Sequence, residues 1–295
     1  ETWDQVMGCK PQYEEGRRLM TGEVNAAAAL GEARQTDLTF PGYPSDPSWL
    51  SPDILTDPFL STRASPVPFA GPKRVRPAAL TAETLPPIDL ILLSHNHYDH
   101  MDLPALRRIA RHHKPHVVTP HGNARWVRRA ASSFTIDELG WGEHLDHKGL
   151  RIHVTPALHW SNRGFFDANT APWGAFVMEG SGGPIYFAAD TGFGTGSTFA
   201  DVRERFGPPR LSLLPIGAYE PRWFMHPQHM NPDEAVKAHA LLESRASIAI
   251  HHGTVQLTDE AIDAPIAALK DALAQHSVDP ARFLVPDAGE TLDID

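Results

Sequence analysis

The sequence predicts a layered α/β domain, and three observations carry that prediction. Short apolar runs of strand length alternate with amphipathic segments of helix length through most of the chain. Residues able to do chemistry gather where those apolar runs end, the habit of sites in open α/β sheets. The chain has 295 residues, 41% of them hydrophobic, enough to bury a sizeable core without any linker or solenoid repeat dividing it.

Taken in order, residues 1–36 are polar, lack sharp periodicity and read as an N-terminal extension of a domain at 37–295. Within them the alanine run from Ala26 to Leu30 suits a short helix. Pro41, Pro44 and Pro47 cannot sit in a central strand, so that segment reads as an edge or loop. Ile88 to Ser94 is a short, strongly apolar run behind Pro86-Pro87 and suits a buried strand. Asp102-Leu103-Pro104 then supplies a cap and a first-turn proline for a helix with Leu106, Ile109 and Ala110 on one face and Arg107, Arg108 and Arg111 on the other.

His116–Thr119 is the next strand, followed by a helix near 123–131 and strands near 150–155, 173–179 and 184–189. Ser181-Gly182-Gly183 joins the last two as a hairpin. A strand at 211–215 leads to a helix from Pro232 to about Leu242, capped by Asn231. A strand at 246–251 leads to a helix opened by Thr258 or Asp259, and a last strand lies near 282–285.

Composition narrows the chemistry. Seventeen histidines stand against one cysteine, Cys9, so any site is built from imidazole and carboxylate, and no disulfide framework exists. The net charge of −10 disfavours a nucleic-acid partner, because phosphate binders present basic surfaces. No apolar run is long enough to span a membrane, and the chain opens without a signal pattern or a Met, so it reads as a soluble domain, trimmed or processed, of cytoplasmic or periplasmic location.

The central feature is Ser94-His95-Asn96-His97-Tyr98-Asp99-His100, three histidines and a carboxylate within six residues at the end of a buried strand. Such a group is costly to desolvate without a shared counter-charge, which points to metal. His95 and His97 suit one ion, and Asp99 and His100 a second. The remaining donors must come from other strand ends: His159 after the 150–155 strand, Asp190 after the 184–189 strand, and His251 or His252 closing the 246–251 strand.

These residues resemble the metallo-β-lactamase superfamily, whose signature is His-X-His-X-Asp-His followed by a distant His, Asp and His. More narrowly, the chain is similar to the branch of N-acylphosphatidylethanolamine-hydrolysing phospholipase D. That likeness rests on Leu55-Thr56-Asp57-Pro58, on Leu85-Pro86-Pro87-Ile88-Asp89, and above all on Pro215-Ile216-Gly217-Ala218-Tyr219-Glu220-Pro221-Arg222-Trp223-Phe224-Met225 with Gln228-His229 and Asn231-Pro232-Asp233-Glu234. It spans roughly 52 to 262 and fails over residues 1–36.

The resemblance implies an αββα four-layer sandwich holding two zinc ions, with iron or manganese as alternatives. His95, His97 and His159 would hold one ion, Asp99, His100 and His251 the other, and Asp190 would bridge them. Asp99 would also orient the attacking hydroxide shared by the ions, Asp57 would hydrogen-bond the free ring nitrogen of a ligand histidine, and Tyr98, Gln228 and His229 would approach substrate. The implied substrate is a phosphodiester lipid of the N-acylphosphatidylethanolamine type, with peripheral membrane contact. A lactone or β-lactam hydrolase and a non-catalytic metal-stabilised module stand as alternatives. Oligomeric state stays open, a homodimer included. Trp160, Phe165, Phe166, Tyr219, Trp223, Phe224 and Met225 read mainly as core packing, with an apolar acyl groove as the second reading.

Overall fold

The computed structural model describes residues 52–294 together with two short strands nearer the N-terminus, β1 (Arg18–Gly22) and β2 (Ala26–Leu30). The proposed division at 36/37 and the proline cluster at 41–47 lie outside the described residues. Two sheets face each other, each backed by helices. The first is parallel, in the order β3 (Ile54–Thr56), β4 (Leu90–Leu92), β5 (His116–Pro120), β6 (Thr135–Leu139). Its outer face carries α1 (Leu103–His112) and α2 (Ala124–Ala130).

The second sheet has seven strands. From one edge to the other they are β13 (Phe283–Leu284), β12 (Ala246–Ile250), β11 (Leu211–Pro215), β10 (Ile185–Phe187), β9 (Ala175–Glu179), β8 (Leu150–Thr155) and β7 (His144–His147). The β10–β13 side is parallel and the β7–β10 side antiparallel. Three helices cover its outer face: α3 (Ser197–Phe206), α5 (Pro232–Leu242) and α6 (Ala264–Gln275), while the short α4 (Arg222–Met225) lies in the loop before α5. A small sheet joins β1 to β2 and to β14 (Thr291–Asp293).

Strand alternation explains the layering. Leu90 and Leu92 face the second sheet and pack with Phe176, Phe187, Leu213 and Ile248. Their neighbours Ile91 and Leu93 face Leu106, Ile109 and Val127 of the helices. On the other sheet Leu211 and Leu213 turn inward, whereas Leu214 meets Phe199, Val236 and Leu273. These side chains are almost wholly buried, which contributes roughly 1.5–3 kcal/mol each for the larger ones. The αββα sandwich anticipated from the sequence is the architecture found.

Three local readings need correction. The Ala26–Leu30 run is a strand, because pairing with β1 gives its backbone partners, and alanine's helix preference of only tenths of a kcal/mol per residue does not outweigh that. The last long helix starts at Ala264 and not at Thr258 or Asp259. The Thr258 hydroxyl is spent instead on Glu260, donating at 2.7 Å, and Glu260 in turn accepts from the amides of Ala218 and Glu220 at 2.7 and 3.0 Å. Of the apolar and aromatic side chains read as core, Phe165, Phe166, Trp223 and Phe224 are exposed, by 99, 99, 83 and 57%, while Tyr219 and Met225 are buried and Trp160 is half-buried.

Candidate metal centre

Every chemically competent side chain of the site stands at the carboxyl end of a strand or on the loop leaving it. The His95–His100 loop leaves β4, His159 follows β8, Asp190 follows β10, and His251 follows β12. The exits are sharp turns. Asp57, Ala189, Ala218 and His251 all take positive φ, between 37° and 61°, a conformation that non-glycine residues adopt at a cost and that concentrates at functional sites. At Gly217 the neighbouring strand ends approach so closely that a Cβ would overlap the His251 carbonyl oxygen, so only glycine fits.

Two groups of donors form. In the first, His95 Nε2 lies 2.8 Å from His97 Nδ1, and His159 Nε2 lies 3.2 Å from the same atom. In the second, Asp99, His100, Asp190 and His251 are all buried with their ligand atoms within 4.8 Å of one another. Asp190 Oδ2 reaches across both groups, at 3.0 Å from His100 Nε2, 3.2 Å from His251 Nε2 and 3.7 Å from His159 Nε2. Asp99 Oδ2 stands 3.4 Å from His251 Nε2 and 3.6 Å from His100 Nε2. His251 therefore faces the carboxylates.

The outer ring atoms fix which nitrogen points inward. Asp57 is fully buried and its Oδ2 accepts from His100 Nδ1 at 2.8 Å and from the Ser94 hydroxyl at 2.5 Å. A hydroxyl that donates to Asp57 must accept from its other partner, so His95 Nδ1, 2.8 Å away, donates to Ser94 Oγ. His159 Nδ1 donates to the Gln228 carbonyl at 3.1 Å. In all three rings the Nδ1 proton faces outward, leaving Nε2 to the centre. Nε2 of His95 and of His159 both converge on Nδ1 of His97, where at most one of the two can be satisfied by a ring proton, and Asp190 Oδ1 is buried without a hydrogen-bond partner, so the donor set fits cations with borderline nitrogen and oxygen preference.

Electrostatics agree. Burial drives the pKa of His95 and His159 well below the ordinary imidazole value, and that of His97 down to about 4. Burial also opposes charge on His100, yet Asp190 and Asp99 outweigh it and raise that pKa. Asp99 and Asp190 are penalised by burial too, but the adjacent His100 and His251 hold both carboxyls below their usual range.

The centre forms the floor of an open cavity of about 670 Å³, whose wall includes Tyr98, Gln228 and His229 and whose rim includes Phe165 and Phe224. The Tyr98 hydroxyl is engaged, donating to the Arg163 carbonyl at 2.6 Å. His229 is buried, its ring edge-on to His159 at 5.0 Å and stacked on His251 at 5.6 Å; with His159 and Asp190 it makes a further donor group. It thus lies closer to the centre than a loop contact for substrate requires. Sequence reading missed Ser94, Arg163 and Glu260. Ser94 had one available signal, its place between the strand and the first histidine; the other two act on partners distant in the chain.

Comparisons with known proteins identify the family. The family described as the beta-lactamase superfamily domain matches residues 53–252. The N-acyl-phosphatidylethanolamine-hydrolyzing phospholipase D 1 of Caenorhabditis elegans is 40% identical over 249 residues, 80% of this chain and 69% of that protein. The mitochondrial N-acyl-phosphatidylethanolamine-hydrolyzing phospholipase D of Saccharomyces cerevisiae is 36% identical over 81% of this chain, which spans about half of that protein's length, 51%. The crystal structure of an isothiocyanate hydrolase from Delia radicum gut bacteria superposes with a TM-score of 0.67 over 93% of this chain and 98% of that one, and at 20% identity it shows a shared fold. The chain belongs to the beta-lactamase superfamily, in the branch of metal-dependent hydrolases that contains the N-acyl-phosphatidylethanolamine-hydrolyzing phospholipases D.

Proposed function

We propose that the protein is a dinuclear zinc phosphodiesterase of phospholipase D type acting on N-acylphosphatidylethanolamine-like lipids. The observation that carries this reading is the convergence of seven buried or half-buried donors, four of which (His97, Asp99, Asp190 and His251) line a cavity rimmed by exposed aromatic rings. In it, His95, His97 and His159 hold one ion, Asp99, His100 and His251 the other, and Asp190 serves both. Two ions so held supply a water of near-neutral pKa and positive charge for the phosphate oxygens.

The chain's own residues account for the rest. Asp57 and Ser94 hold His95 and His100 with Nε2 inward, and the Gln228 carbonyl does the same for His159. Asp99, kept ionised beside His100 and His251, is an acceptor for a proton of the attacking water. Phe165, Phe166, Trp223 and Phe224 supply apolar surface for acyl chains and for contact with a lipid surface. Hydrolysis of this type adds water across the bond between phosphorus and the head-group oxygen, leaving phosphatidic acid and an N-acylethanolamine.

The test is purification with metal quantified, followed by assay on a simple phosphodiester, an N-acylphosphatidylethanolamine, an acyl lactone and a β-lactam. Two zinc equivalents with turnover of the phospholipid is the expected result. Turnover of the lactone alone would overturn the substrate, and two equivalents of iron or manganese would overturn zinc.

A further inference from the structure

Arg163 takes no part in the donor groups, yet it is hydrogen-bonded to both ends of the turn that carries three of the donors. It lies on the loop that leaves His159. Its Nη1 donates to the carbonyl of Asn96 at 2.8 Å and to that of Met101 at 2.7 Å. Those two carbonyls flank the turn that carries His97, Asp99 and His100, a turn closed internally only by the amides of His100 and Met101 to the His97 carbonyl, at 3.3 and 2.8 Å. The guanidinium also lies over the Tyr98 ring, 4.4 Å from its centroid, while the Tyr98 hydroxyl donates back to the Arg163 carbonyl.

The loop presenting Arg163 is held by its own bonds. Asp167 accepts from the amides of Arg163 and Gly164 at 3.0 and 2.6 Å, and the Ser161 hydroxyl donates to the Ala171 carbonyl at 2.5 Å. A braced loop thus delivers one cation onto two carbonyls through a single nitrogen, and the flat guanidinium also offers a face to the Tyr98 ring, which a compact ammonium does not.

We infer that Arg163 is a positioning residue that pinches the turn between Asn96 and Met101 and locks it to the His159 loop, setting the spacing of the two donor groups. This rests on the proposed metal centre. Arg163 also couples that spacing to the exposed Phe165–Phe166 tip two residues further on, so disorder introduced at the tip reaches the centre through it. Burial lowers its pKa to about 10, which leaves the cation intact at neutral pH.

The experiment compares wild type with Arg163→Gln, Arg163→Lys and Tyr98→Phe. It reads metal affinity by chelator competition far below the unfolding temperature, backbone hydrogen exchange at His100 and Met101, and kcat and KM on the phospholipid. Arg163→Gln should bind metal at least tenfold more weakly and exchange faster at both amides, with the loss in kcat and not in KM. Arg163→Lys should recover part of the affinity, and Tyr98→Phe should show a smaller loss in the same direction. If Arg163→Gln does not fold, Arg163→Lys and Tyr98→Phe decide, since each leaves the charge in place. Wild-type affinity and exchange in the folded variants would overturn the inference alone. A wild-type protein that binds no metal would overturn it together with the metal centre, whereas metal binding without phospholipid turnover would overturn only the proposed substrate.

Discussion

Asparagine in place of Asp57 changes one oxygen to an amide and leaves shape and backbone almost untouched, since asparagine tolerates the φ of 37° found there. The consequence at the centre is large. Asp57 Oδ2 takes the proton of His100 Nδ1 and that of Ser94, and Oδ1 takes the Ser94 amide at 2.8 Å. In Asp57→Asn the side chain keeps one acceptor oxygen, which the Ser94 amide claims, so an NH2 group is turned toward two donors. His100 relieves the clash by shifting its proton to Nε2, the atom 3.0 Å from Asp190 and the one required to face a metal.

The lost interaction is a charge-assisted hydrogen bond worth about 1.5–3 kcal/mol in a fully buried setting, equivalent to roughly 10- to 150-fold in metal affinity. Competition with a chelator at fixed pH measures that change, with circular dichroism as the check on folding. Asp57→Asn with two ions bound at wild-type affinity would refute the argument that Asp57 sets the tautomer. Ser94→Ala should act through His95 in the same direction and more weakly, because it removes a neutral link of the chain.

Other perturbations test different parts of the structure. Gly217→Ala forces a Cβ into the His251 carbonyl, so it should lower stability by about 2 kcal/mol or more and cost activity beyond that; chemical denaturation together with a metal assay checks it, and a wild-type melting curve would count against the close approach. Phe165→Ser with Phe166→Ser should raise KM for a long-chain lipid about tenfold or more while a short soluble phosphodiester is turned over as before, and equal losses on both would remove the rim from lipid contact. His239, buried with Nδ1 2.8 Å from Ser247 Oγ, has its pKa lowered by burial to about 4. Protonation therefore favours the unfolded chain, and the contribution of this neutral imidazole is complete above about pH 6.5 and fades as pH falls toward 4. Urea midpoints of metal-free His239→Gln should thus depend less on pH over that window than those of wild type, and parallel curves would exclude the effect.

What the sequence made legible follows the physics of each segment. The buried parallel strands are continuous apolar runs, and Asn231 with Glu234 forms a reciprocal capping box that fixes the start of α5. By contrast β6 and β7 read Thr-Ile-Asp-Glu-Leu and His-Leu-Asp-His, half-exposed edge strands whose polar residues hide their pairing. The helix α3 opens after Gly196 without any side-chain cap, so nothing local announces it. At the centre, the donors stand out because imidazole and carboxylate at strand ends are chemically conspicuous. Ser94, Arg163 and Glu260 are not, because their roles lie in backbone groups and oxygens brought near only by folding.

The donors also divide between the halves of the chain. The turn from His95 to His100 belongs to the first sheet, and His159, Asp190 and His251 belong to the second. A cation at their meeting point is therefore a clasp between two slabs that otherwise adhere mainly through apolar contact along their shared face. Stripping it away frees the slabs to shear before either one melts, so chelation should expose the seam between the sheets to protease or hydrogen exchange while the strands within each sheet stay protected.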